Sequence, residues 1–165
     1  MLRTLFGLAS LVVVLTLIGL SATGAPSDPV ASDLGVTVSP VRDAKGAWVL
    51  QFEVRYTGEA PLVVDERSLP WKSPRDVFLE AFQLNAAKTR LSHPETAARD
   101  LPRAPLTLNP GDTLVGNVNL SGRLPELATA LRESDVIVFW SHQVRSTDNP
   151  APPRLNGGVV IPRQS

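Results

Sequence analysis

The stretch that decides the fold is "AWVLQFEVRYTG", residues 47 to 58. Its even positions are Trp48, Leu50, Phe52, Val54 and Tyr56, and its odd positions include Gln51, Glu53, Arg55 and Thr57. Successive side chains on a strand point to opposite faces, so this alternation predicts a strand with one face in a core and the other in water. Gly58-Glu59-Ala60-Pro61 then ends the strand, and the apolar "PLVV" (61–64) begins the next one.

The same parity recurs along the chain. "LGVTVSPV" (34–41) puts Leu34, Val36 and Val38 on one face, with Pro40 marking an edge or a bend because proline cannot donate to a ladder. "TLVGNVNL" (113–120) puts Leu114, Val118 and Leu120 on one face and Asn117 and Asn119 on the other. "DVFLEAFQL" (76–84) reads as a strand of mixed facing, "LTL" (106–108) as a short strand, and "GVVIP" (158–162) as a closing one after a Gly157-Gly158 turn. Asn109-Pro110-Gly111-Asp112 is a type II turn signal: proline presets the first central dihedral and glycine accepts the positive φ of the second.

"VIVFWSHQVR" (136–145) is the most apolar run outside the N-terminus. Residues 136–140 are apolar on both faces, which predicts a central strand with the opposing sheet on one side and a helix over the other. Val136, Val138, Trp140, His142 and Val144 share a face, so Trp140 is expected in the core and His142 at its solvent rim. The one helical pattern is "RLPELATALRESD" (123–135), where Leu124, Leu127 and Leu131 recur at helical spacing. Pro125 and Glu126 suit the first turn and Arg132 the last. About seven short strands and a short helix over about 124–132 predict an all-β, immunoglobulin-like antiparallel β-sandwich.

The N-terminus sets the expected compartment. Arg3 precedes the uncharged "LFGLASLVVVLTLIGL" (5–20) and small residues follow, the pattern of a signal peptide over 1–24. The alternative is an uncleaved helix anchoring the chain in the inner membrane, since the apolar stretch is near the minimum span. A flexible lead (25–33) and a single β-sandwich domain (34–163) would follow, exported to the periplasm or beyond. The chain has no cysteine, so disulfides, zinc–thiolate sites, iron–sulfur clusters and thiol nucleophiles are excluded. Without Arg3 there are 15 basic and 16 acidic residues, a net charge of −1. The nearest basic cluster, Arg99 and Arg103, is interrupted by Asp100, which argues against nucleic acid as a partner.

No catalytic, cofactor or metal motif emerges. His93 and His142 are the only histidines and stand far apart in the chain, which leaves no ligand spacing for a metal. Ser141 and His142 are neighbours on a strand and so face opposite sides, which rules out a nucleophile–base pair. Asp65-Glu66 reads as a solvated or salt-bridged loop pair rather than a catalytic dyad. A small-ligand or enzymatic pocket near His142, drawing on Glu80, is the alternative class. The loop "DERSLPWKSPRD" (65–76) is the expected contact surface. Its residues Pro70, Trp71, Lys72 and Arg75 present an aromatic in a proline-bracketed segment, and a preorganised Trp is a typical interface anchor. The competing role for Trp71 is to fold back and plug the end of the sandwich. The expected partner is therefore a protein, with a membrane involved only through residues 5–20.

The order "L-FEVRYTGEAPLVV", a Pro-Trp loop, "L-L-PGDTL-G-V-LSG", a short helix and "DVIVFWS" resembles small exported bacterial immunoglobulin-like domains. It is more loosely similar to the propeptides of deuterolysin-type peptidases and to BsuPI-type proteinase inhibitors. The resemblance spans about 34–145 and implies an accessory or inhibitor-like binding domain. It implies no protease activity, because the chain has no HExxH.

Overall fold

A computed structural model describes residues 33–92, 104–146 and 154–164. The proposed leader and membrane-anchoring segment (1–24), the lead over 25–32, His93 and the Arg99–Arg103 cluster lie outside the described residues. Among the described residues no helix is long and apolar enough to cross a membrane.

The protein is mostly β, with eight strands and one α-helix among the described residues. The strands are β1 (Leu34–Arg42), β2 (Trp48–Tyr56), β3 (Leu62–Asp65), β4 (Phe78–Gln83), β5 (Pro105–Leu108), β6 (Thr113–Asn119), β7 (Val136–Gln143) and β8 (Arg154–Ile161). They form three antiparallel sheets ordered β1-β2-β6, β3-β5 and β4-β7-β8. Helix α1 (Leu127–Glu133) precedes β7, and a single 3-10 turn (Glu66–Ser68) follows β3.

The alternation in β2 sorts its side chains as expected: Leu50, Phe52, Val54 and Tyr56 are buried, whereas Glu53 and Arg55 are exposed. Pro40 is tolerated because β1 is an edge strand, paired only with β2. Gly111 has φ +89°, the value a type II turn demands there, and Asp112 N–H closes the turn on the Asn109 carbonyl at 3.0 Å. The inner faces of β1-β2-β6 and β4-β7-β8 meet in one core cluster that includes Leu50, Phe52, Leu79, Val118, Val138 and Ile161. Phe52 and Trp140 touch edge to face across that interface, with ring centroids 5.2 Å apart. A second cluster of Leu34, Val54, Tyr56, Val64, Leu69, Leu108 and Val144 lies beneath β3-β5.

Five expectations need correction. The 76–84 segment is not of mixed facing. Leu79, Ala81 and Gln83 are buried in alternation with the outward Phe78, Glu80 and Phe82. Gly157-Gly158 is not a turn but the middle of β8, which begins at Arg154. Trp140 lies across from Gly157 and Phe139 across from Gly158, and a Cβ on either glycine would approach the facing ring, at 2.9 and 3.2 Å. The rings fill the space that the missing side chains leave, so glycine fits a strand that would otherwise disfavour it.

The outer face of β7 is not covered by the helix. Leu124, Leu127, Ala130 and Leu131 pack into the inner core with Val136, and Phe139 is left 45% exposed. The helix also begins later than the pattern suggests, at Leu127. The Glu126 carboxylate accepts from Ser92 N–H at 3.1 Å and makes no cap bond to its own helix. Finally, His142 is no rim residue: it is 4% exposed, and Val144 beyond it is 1% exposed. The buried face continues because β3 meets the end of β7 through the Val64–Ser146 bridge, which brings the second cluster into line with the first.

Candidate interaction surface

The two three-stranded sheets present unlike faces to water. Registry places Thr37, Glu53 and Val115 in one outward row of β1-β2-β6, and Ser39, Gln51 and Asn117 in the next. On β4-β7-β8 the outward rows are Phe78, Ser141 and Asn156, then Glu80, Phe139 and Gly158, then Phe82, Ile137 and Val160. Of these, Phe78 is 55%, Phe139 45% and Val160 46% exposed. Phe82 braces Phe139 edge to face, with centroids 6.3 Å apart, and Glu80 is held by Arg90 at 2.7 Å. Exposed aliphatic and aromatic groups are ordinary singly, whereas a contiguous group on one sheet face marks a contact site.

Gly158, in the outward row with Phe139, contributes relief to this face. Phe78, Phe139, Trp140, Ser141, Asn156, Gly157 and Gly158 line an open hollow of about 420 Å³. The walls are apolar; Ser141 Oγ is buried without a hydrogen-bond partner, and the exposed Asn156 supplies the accessible polar group. The hollow would receive an apolar side chain far better than it would hold an anion or a metal. Among the described residues no group of three or more His, Asp or Glu side chains is placed to bind a metal ion.

Ser141 and His142 point to opposite sides of β7, as the strand period requires. The His142 ring lies inside, its Nε2 2.5 Å from the Ser68 carbonyl oxygen. Burial pushes the imidazole below its ordinary pKa; the Ser68 carbonyl and nearby Asp76 pull it up, and Arg145 adds to the downward push. The neutral ring with Nε2–H donating is the form that suits this site. Glu80, on the outward face, does not converge with His142.

The Asp65-Glu66 pair also diverges. The Asp65 carboxylate accepts from the backbone N–H groups of Arg67 (3.2 Å) and Ala104 (3.0 Å) and pairs with the Arg67 guanidinium at 3.3 Å. Glu66 instead pairs with Lys72 at 2.7 Å.

The 70–75 loop distributes its residues unevenly. Pro70 is buried, Lys72 and Arg75 are exposed, and Trp71 is half-buried. The Trp71 indole lies on Gly116 of β6, so close that a Cβ there would fall 2.0 Å from Cδ2. It packs against both core clusters. Arg123 ties the far end of the loop by donating to the Pro74 and Val77 carbonyls.

Sequence reasoning overlooked Phe78, Phe82, Phe139 and Val160 as surface residues. The usable signal was parity. Phe78 and Phe82 alternate with Leu79, Ala81 and Gln83 and share the parity of Glu80, and in β7 Phe139 shares the parity of Ser141 and Gln143.

No family model matches the chain, and no curated protein matches it. Among solved structures, a protein from Archaeoglobus fulgidus aligns over 80% of this chain and 98% of its own, with 10% identity and a TM-score of 0.38.

Proposed function

We propose that this is an exported, non-enzymatic domain of immunoglobulin-like sandwich type that works through protein–protein contact, and that the outer face of β4-β7-β8 is its contact surface. The observation that carries the reading is the exposure of Phe78, Phe139 and Val160 together on one sheet face, beside a hollow. Burying such a group is worth about 25 cal/mol per Å² of apolar surface, and the central carboxylate, Glu80, is already paired with Arg90. The 70–75 loop leads into Phe78 at the start of β4, and its Lys72 and Arg75 are exposed. Export rests on the apolar 5–20 segment and the small residues that follow it.

Photo-crosslinking tests the assignment. With a photoreactive phenylalanine at position 139, irradiation of expressing cells yields a discrete crosslinked protein, and the same group at position 115 yields none. Equal yields from both positions, or none from either, would defeat the proposal.

A further inference from the structure

We infer that the occupant of this face is a second copy of the chain, an inference that rests on the contact-surface reading above. Two observations favour self-association. The first is charge. A twofold axis sets identical faces against each other, so an unpaired charge near the centre would meet its own like. Here Glu80 is neutralised within its own chain by Arg90 at 2.7 Å, and the other ionisable group on the outward face, Arg154, stands opposite Gln143 at the end of the sheet, away from the central Glu80–Phe139–Gly158 row.

The second is shape. The face carries exposed phenyl rings, Phe78 and Phe139, at the wall of the hollow that Ser141, Asn156 and Gly158 also line. A surface with knob and hole side by side is complementary to itself under a twofold rotation: the rings of each copy enter the hollow of the other.

The size of the face sets the strength. Three strands at about 4.8 Å spacing and about eight residues at about 3.3 Å rise give on the order of 400 Å² per copy. A pair buries about 800 Å², below the roughly 1,200 Å² at which standard stable complexes begin. The dimer is therefore weak and depends on concentration, forming where the chain is locally abundant.

Sedimentation velocity of the full chain as recovered from the expressing cell, from about 1 μM to about 1 mM, tests this. The expected result is a weight-average mass rising towards two chains. Phe139→Lys should weaken the association by about tenfold or more. Val115→Lys, on the polar outer face of the other sheet, leaves it unchanged and controls for association through residues 5–20. Phe78→Lys and Val160→Lys provide the same readout should Phe139→Lys fold poorly. A wild-type mass of one chain throughout, or association indifferent to all three outer-face lysines, overturns the second copy as occupant. If that happens while position 139 still crosslinks a protein of another mass in cells, a different partner occupies the face and the contact-surface reading stands. If both tests are negative, both readings fall.

Discussion

The sheets β1-β2-β6 and β4-β7-β8 are built alike inward and differently outward. Both send Leu, Val and aromatic side chains into one core, where Phe52 of the first meets Trp140 of the second. Outward, the first presents Thr, Ser, Gln, Glu and Asn with a single exposed valine, and the second presents Phe78, Phe139 and Val160 around a hollow. The inward similarity is what any two-layer fold requires, since each sheet must bury one face. The outward difference has no such structural requirement. The polar face shows that this chain can keep a sheet surface wet, so the apolar face is the one to explain by contact.

The comparison breaks most readily on its inward half. Trp140→Ala removes a ring that meets Phe52 across the core and covers Gly157, and should cost about 3–5 kcal/mol in chemical denaturation. A loss below about 1 kcal/mol would mean that the two sheets do not share a tightly packed interior.

A smaller effect belongs to His142. Its folded-state pKa is lowered mainly by burial, so the unfolded chain takes up a proton more readily than the folded one. The contribution of the neutral ring is fully present above the unfolded value of about 6.5 and is lost as pH falls below it. Denaturation midpoints at about pH 8 and about pH 5 should therefore differ more for the wild type than for His142→Gln. Identical pH profiles would place His142 in water, and would also mean that the core ends before the second cluster begins.

The inward half was largely legible in the sequence because burial on one face writes itself as period-2 alternation. β1, β2, β3, β5 and β6 lie within two residues of their expected bounds, and Leu124, Leu127 and Leu131 of the helical segment are buried as their spacing indicates. The outward half was not, because hydrophobicity alone does not say what lies over a strand. In "VIVFW" both parities are apolar, and covering helix and exposed contact face leave the same letters. Gly157-Gly158 carries the same ambiguity: the dipeptide is a turn signal locally, and only the facing rings of Trp140 and Phe139 make it a strand interior. Trp71 is set by Gly116, 45 residues along the chain, a pairing that no local pattern contains. His142 is buried because β3 and the Ser68 carbonyl arrive over it from a distant part of the sequence.

The most direct test of the central claim uses the absence of native cysteine. Single cysteines are placed at Asn156, beside the hollow, and at Asn117, on the polar sheet; both positions are exposed and face outward. Thiol labelling is then timed in expressing cells and in dilute purified protein. Asn156→Cys is expected to react several-fold more slowly in the cell than in dilute solution, while Asn117→Cys reacts at the same rate in both. Equal behaviour of the two cysteines would contradict it, because the apolar face would then be as bare in the cell as the polar one.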